Sequence, residues 1–268
     1  MLYAPNRIGK LGEVQAVLCG GGWTNRSREA YRFFQYASRM RSEPIRLLSL
    51  PTPTSEPCRE LDLLRSRLRN HPGVEFSPIG TGQVWPSPPD VLAGLAWANM
   101  LIVPGGNFTD YMAKVAQADI SHALKEAILS GRVRLLGSSN GTVSNFDTVH
   151  TADIPNRYGG GTAKVYWNAA GLGIIPGHVC AHYNERNEHT GIPRAQLFQS
   201  MLSEQPAGTI GFGIDTQAAF VLNRGKFRVI TRDRYAHIQR IIVEKGKRLR
   251  ISRLLATDPP TPIGTLFA

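Results

Sequence analysis

The chain has few cysteines and no long apolar run, and each deficit excludes a class of protein. Its cysteines are widely spaced and odd in number, so they predict neither a disulfide framework nor a Cys-x-x-Cys metal pair. They are Cys19, Cys58 and Cys180. No apolar stretch approaches the ~20 residues that would span a bilayer. The N-terminal residues lack an apolar run that ends in a small-residue cleavage site. We therefore expect a cytoplasmic, unprocessed protein with buried free thiols and no membrane contact.

Acidic residues are also scarce, with 20 Asp and Glu against 31 Lys and Arg, which gives a formal net charge of +11. Most of the excess lies between residues 223 and 253, where eleven basic and two acidic residues give +9. Apolar and polar residues alternate in this segment around a turn at Gly246, a pattern that predicts a C-terminal β-hairpin with a solvated basic face. The alternative is a surface for an anionic partner, although no aromatic residues alternate with the charges to stack on bases.

What the chain does contain is a regular alternation of strand-like and helix-like segments. The predicted strands are 14–19, 44–50, 74–79 and 100–103, and the predicted helices are 25–40, 56–69, 90–98 and 119–129. Such alternation is typical of an α/β fold whose parallel sheet is covered by helices on both faces. We expect one domain over residues 1–255, followed by an extended Pro-rich tail over 256–268.

The most informative segment is Gly137-Ser138-Ser139-Asn140-Gly141, which follows the apolar run 133–136. A strand that leads into Gly-x-Ser-x-Gly is the sequence form of a nucleophile elbow, in which small residues allow a sharp turn that exposes the central serine. Ser139 is therefore the candidate nucleophile. The same five residues also fit an ordinary Gly/Ser-rich turn.

A serine nucleophile needs a base and a group that orients the base. His182 is the candidate base, because it follows a strand-like segment near residues 171–175 in the part of the chain that returns to the elbow. Asp153 is the candidate orienting acid, and Asp147 and Asp215 are also available. Taken singly, His182 also fits a structural histidine and Asp153 a turn or helix-capping residue.

The oxyanion of an acyl-transfer reaction needs backbone N–H donors. Gly105-Gly106-Asn107 follows the predicted strand 100–103, and Asn140 follows the nucleophile. Loops at the carboxyl ends of neighbouring parallel strands lie on one edge of a sheet. The amides of Gly106 and Asn140 are therefore the candidate oxyanion donors, although Gly105-Gly106 also fits a simple turn.

Together these segments resemble the S51 serine peptidases, the group that includes aspartyl dipeptidase (peptidase E) and cyanophycinase. The matching segments are Gly105-Gly106-Asn107, Gly137 to Gly141, Thr151-Ala152-Asp153, Gly171-Leu172-Gly173 with His182-Tyr183-Asn184, and Gly213-Ile214-Asp215. The resemblance implies a class I glutamine-amidotransferase-like, flavodoxin-type α/β fold. It also implies a Ser139, His182, Asp153 site, oxyanion amides at Gly106 and Asn140, and Asn107 and Arg194 beside the substrate.

The sequence therefore predicts a serine peptidase that needs no metal or cofactor and cleaves a small or N-terminal peptide or isopeptide, with acidic recognition implied by the resemblance alone. A homodimer is compatible with it. The alternative is an inactive S51-like domain that binds an anionic partner through residues 223–253, since Asn140 stands where relatives usually carry Ala. A third reading uses Cys180 as the nucleophile beside His182.

Overall fold

The computed structural model describes residues 5–21, 34–40, 43–51, 65–66, 68, 71–77, 85–151, 167–187, 191–256 and 258–268. Within them the chain forms two β-sheets with helices packed against them. In chain order the strands are β1 (Gln15–Cys19), β2 (Ile45–Ser49), β3 (Val74–Phe76), β4 (Met100–Val103), β5 (Arg134–Ser138), β6 (Phe146–Thr151), β7 (Trp167–Ala170), β8 (Ile175–Ala181), β9 (Ile210–Ile214), β10 (Ala218–Asn223), β11 (Lys226–Thr231), β12 (Ile238–Val243), β13 (Leu249–Leu254) and β14 (Thr261–Pro262).

The helices are α1 (Pro5–Gly9), α2 (Pro88–Trp97), α3 (Phe108–Gln117), α4 (Ser121–Leu129), α5 (Asn140–Val143) and α6 (Arg194–Ser203). Two of the described helices, α2 and α3, begin after residues whose side chains accept a free amide of the first turn. The Ser87 hydroxyl accepts the N–H of Asp90 at the start of α2, which also has Pro in its first turn. Most of the predicted helices 25–40 and 56–69 lies outside the described residues, although 34–38 is helical.

The first sheet has the strand order β14-β11-β10-β1-β5-β4-β2-β3. Its strands β1 to β5 run parallel, as the β-α alternation predicted, and β4 is adjacent to β5 with Val103 opposite Gly137. Strand β10 pairs antiparallel with β1, and β11 and β14 extend the sheet antiparallel beyond it. The carboxyl ends of β1, β5 and β4 therefore lie side by side, which places their loops at one edge.

A second sheet was not predicted. It has the order β13-β12-β9-β8-β6-β7, in which β6, β8 and β9 are parallel and the other pairs are antiparallel. The prediction of one parallel sheet was therefore wrong. Hydrophobic periodicity identifies strands, but it does not specify their partners. Short connections, such as residues 244–248 between β12 and β13, require antiparallel pairing.

The largest apolar cluster joins side chains of both sheets and of α2, α3 and α4. The C-terminal residues complete this cluster. Thr261 pairs with Phe227, and the 3-10 turn Ile263–Phe267 buries Ile263, Leu266 and Phe267. The expectation of an extended tail was therefore wrong, because apolar residues after the prolines fold back onto the core. None of the described helices is long and apolar enough to cross a membrane.

Candidate active site

Ser139 lies at a strained turn between β5 and α5. Its backbone has φ 48° and ψ −109°, an unusual conformation for a residue with a side chain. A Cβ atom on Gly141 would lie 1.9 Å from the carbonyl oxygen of Val103, and one on Gly137 would lie 2.3 Å from that of Gly141. Both flanking positions therefore accept only glycine. This is the steric requirement of a nucleophile elbow.

His182 is the first residue after β8, and its imidazole reaches the elbow. Its Nε2 lies 2.9 Å from the Ser139 hydroxyl oxygen. The backbone N–H of His182 donates to the carbonyl of Gly20. The ring also packs against the backbone of Gly21, where an added Cβ would lie 2.0 Å from the imidazole Cε1. The loop after β1 therefore holds His182 against Ser139.

Two oxygen atoms face the other ring nitrogen of His182. Nδ1 lies 3.2 Å from Oε1 of Glu185 and 3.0 Å from Oγ1 of Thr216. The Thr216 hydroxyl itself donates to Glu185. The hydrogen bond from His182 outweighs the opposing effect of burial and lowers the pKa of Glu185 to about 2, helped by electrostatic attraction to His182 and by the Thr216 hydrogen bond.

The sequence did not predict Glu185 and Thr216 as residues of the site. Each lies directly beside a segment that it had singled out: Glu185 follows His182-Tyr183-Asn184, and Thr216 follows Gly213-Ile214-Asp215. Asp153, the predicted orienting acid, lies outside the described residues. The described chain thus offers a hydroxyl, an imidazole and a carboxylate in series, which is the arrangement that activates a serine for attack on a carbonyl.

The predicted oxyanion residues lie in loops beside the elbow. The N–H of Gly141 donates to the carbonyl of Pro104, which ties the loop 104–107 to α5. Gly106 is exposed and has φ 146°. Asn140 is the first residue of α5, so its N–H has no acceptor within the helix. The Asn140 side chain is only 2% exposed, and its amide atoms find no hydrogen-bond partner among the described residues.

The two predicted substrate-binding residues have structural contacts. Asn107 caps α3, because its Oδ1 accepts the N–H of Asp110 at 2.9 Å. The backbone N–H of Arg194 donates to the carbonyl of Glu185 at 2.9 Å. Arg194 also contributes electrostatically to the lowered pKa of Glu185. Its Nε atom is buried without a hydrogen-bond partner in the described part of the chain.

The alternative prediction that Cys180 is the nucleophile is wrong. Cys180 is 1% exposed and packs with Tyr183, Phe198 and Leu202. Burial raises the pKa of its thiol to about 12, which disfavours the reactive thiolate. His182 instead directs Nε2 to Ser139. Among the described residues, no group of three or more His, Cys, Asp or Glu is arranged to hold a metal ion.

Two solved structures share the fold of this chain. The crystal structure of a peptidase from an acI-B1 Actinobacterium matches this chain with a TM-score of 0.59 and 20% sequence identity. The match covers 93% of this chain and 96% of that chain. A putative peptidase E protein from Listeria monocytogenes EGD-e matches with a TM-score of 0.53 and 17% identity, over 90% of this chain and 98% of that chain. At these identities the likeness shows the fold alone.

No curated protein matches the chain significantly in sequence. The sequence model of peptidase family S51, by contrast, matches residues 69–230, which is more than half of the chain. The matched region contains the elbow, His182, Glu185 and Thr216. The chain belongs to peptidase family S51.

Proposed function

We propose that the protein is a serine peptidase in which Ser139 is the nucleophile and His182 the general base. The observation that carries this proposal is the 2.9 Å separation of His182 Nε2 from the Ser139 hydroxyl oxygen at a glycine-flanked elbow. At this distance the imidazole accepts the serine proton directly.

The proposed reaction has two steps. Ser139 attacks the substrate carbonyl while its proton passes to His182 Nε2, and the imidazolium then protonates the leaving amine. Water hydrolyses the acyl-enzyme with His182 again as the base. The amides of Gly106 and Asn140 are the proposed donors to the oxyanion, and each such donor contributes on the order of 10²-fold or more to the rate.

Glu185 is the proposed orienting carboxylate. Its support is the 3.2 Å contact with His182 Nδ1 and a pKa low enough to keep the carboxylate ionised at neutral pH. An ionised carboxylate at Nδ1 stabilises the imidazolium that forms during proton transfer. This assignment replaces Asp153 in the proposed mechanism.

A small or N-terminal peptide remains the proposed substrate class, and the peptidase E name of one structural neighbour is compatible with it. Arg194 is the proposed source of preference for an acidic residue, because its positive charge acts at Glu185, beside the proposed base. The class I glutamine-amidotransferase-like frame is likewise proposed on family grounds.

A fluorophosphonate probe tests the nucleophile without knowledge of the substrate. We expect the wild-type protein to be labelled at Ser139 and Ser139→Ala to lose labelling with an unchanged thermal midpoint. Ser138→Ala is the matched control, because this neighbouring serine is buried within β5 and should not react. Labelling that persists in Ser139→Ala and disappears in Ser138→Ala would overturn the proposal.

The basic segment 223–253 supports a second, non-catalytic function. Strand β13 is an edge of the second sheet, and Arg250 and Arg253 are exposed on it. The turn before β13 exposes Lys245, Lys247 and Arg248 as well. Only part of this charge is neutralised by the described ion pairs of Lys247 with Glu204 and of Arg250 with Glu244. We propose an anionic partner for this surface, with single-stranded RNA as its first probe.

A further inference from the structure

Thr216 provides one of the two oxygen atoms that face His182 Nδ1, and it also contacts the residue that provides the other. Its Oγ1 lies 3.0 Å from Nδ1, and its hydroxyl donates to Oε1 of Glu185. The backbone N–H of Thr216 donates to Oδ1 of Asn184 at 2.8 Å, which ties this residue to the turn that carries Glu185. Thr216 therefore contacts the base, the carboxylate and the turn between them.

The protons at this junction can be counted. A hydroxyl has one proton to donate, and Thr216 gives it to Glu185. Toward His182, Thr216 Oγ1 can then only accept. The ionised Glu185 carboxylate also only accepts, so both oxygens near Nδ1 require a proton on that nitrogen. With Nδ1 protonated, the neutral imidazole presents its Nε2 lone pair to Ser139.

Glu185 needs this support because its side chain is 43% exposed. A half-exposed carboxylate has several competing rotamers and is well solvated, so its attraction to the imidazole alone fixes its position weakly. The hydrogen bond from the Thr216 hydroxyl is a second contact that holds the Glu185 carboxylate towards His182 Nδ1.

We propose that Thr216 is a positioning residue that selects the Nδ1-protonated tautomer of His182 and holds Glu185 against it. This inference rests on the proposed function of Ser139 and His182. Thr216 acts through His182 and takes no part in bond making.

The kinetic test compares Thr216→Val, which keeps the shape and removes the hydroxyl, with Thr216→Ser, which keeps the hydroxyl. The readout is the rate of Ser139 labelling by a fluorophosphonate probe. We expect Thr216→Val to slow labelling about tenfold or more, since general-base assistance is weakened. We expect Thr216→Ser to keep most of the rate. Thr265→Val is the control, because its hydroxyl bonds only locally in the C-terminal turn.

The spectroscopic test does not depend on activity. With ¹⁵N-labelled histidine, the two nitrogens of neutral His182 are distinguished by their chemical shifts, and His182→Gln assigns the signals. We expect a proton on Nδ1 in the wild type and in Thr216→Ser, and a mixture of tautomers in Thr216→Val.

A wild-type labelling rate in Thr216→Val overturns the inference, as does a tautomer that is unchanged in that variant. A wild-type protein that is not labelled at all contradicts the proposed function instead. In that case the tautomer measurement still decides the role of Thr216. The two failures are therefore distinguishable.

Discussion

At the scale of single residues, the absence of a side chain at Gly21 leaves the room that the His182 imidazole needs beside Ser139. The Gly21 backbone lies against the imidazole of His182 with φ 137°. We expect Gly21→Ala to push the ring away from Ser139 and to slow probe labelling about tenfold or more. The alanine must also adopt a φ that residues with a side chain rarely adopt, so we expect a lower thermal midpoint as well, and labelling is compared at a temperature at which both proteins are folded.

Gly12→Ala is the matched control for this change, because no heavy atom lies within 4 Å of its added Cβ. It should leave labelling unchanged. If Gly21→Ala were also labelled at the wild-type rate, the loop after β1 would have no part in holding His182.

The acid dependence of stability reports on Glu185. Its pKa in the folded protein is about 2, below its ordinary value of 4.5, so its ionised form stabilises the fold. That contribution is complete above pH 4.5 and is lost as the pH falls toward 2. We therefore expect the thermal unfolding midpoint of Glu185→Gln to fall less steeply than that of the wild type as the pH is lowered from 4.5 to 2. Glu126→Gln, an exposed glutamate on α4, is the control and should follow the wild-type curve.

The sequence predicted Ser139 and His182 as partners because a Gly-x-Ser-x-Gly segment and a histidine after a strand are local signals. The third group had no such signal. Which carboxylate reaches Nδ1 depends on the turn after His182, whose own backbone has φ 53°. A positive φ at a residue other than glycine is seldom evident from sequence.

At the scale of elements, prediction worked where apolar periodicity and boundary residues coincide. Strand β4 has its predicted bounds, and α2 and α4 lie within two residues of theirs. The strand predicted at 171–175 instead begins at Ile175, because the amides of residues 171–174 donate to the carbonyls of residues 144–147 in a loop. Helix α3 was not predicted, although Asn107 provides its cap.

The C-terminal turn Ile263–Phe267 should stabilise the fold. Leu266 is 3% exposed, whereas Leu255 is 44% exposed. We expect Leu266→Ala to lower the free energy of unfolding by about 2–5 kcal/mol, because it removes buried methyl groups and leaves a cavity. Leu255→Ala should change it by no more than about 0.5 kcal/mol. Chemical denaturation measures both, and equal effects would contradict the packed position of this turn.

At the scale of the whole molecule, the sequence predicted an α/β protein but not its division into two mixed sheets. Strands β9 and β10 are consecutive in the chain, yet they belong to different sheets. The alternation of apolar and polar residues along these strands does not indicate which strand each of them pairs with. Pairing is decided by long-range packing, such as the contact of Phe212 in β9 with Phe220 in β10, which joins the two sheets.

The net charge is also a property of the whole molecule, and its uneven distribution makes a testable prediction. If the basic segment binds RNA, affinity should fall about tenfold or more from low to moderate salt, because bound counterions are released. Lys245→Glu/Arg248→Glu should weaken binding more than Lys10→Glu/Lys114→Glu, which changes the net charge equally at positions outside this segment. Equal losses in a fluorescence-anisotropy titration, or no binding by the wild type, would count against a localised surface.

The loop Cys19–Gly21 accepts hydrogen bonds from all three segments of the site. The N–H groups of Ser139, His182 and Gln217 donate to the carbonyls of Cys19, Gly20 and Gly21, respectively. The donors are synthesised long after the acceptors, which precede them in the chain by more than a hundred residues. A growing chain therefore has no assembled site until the segment through Gln217 has been made.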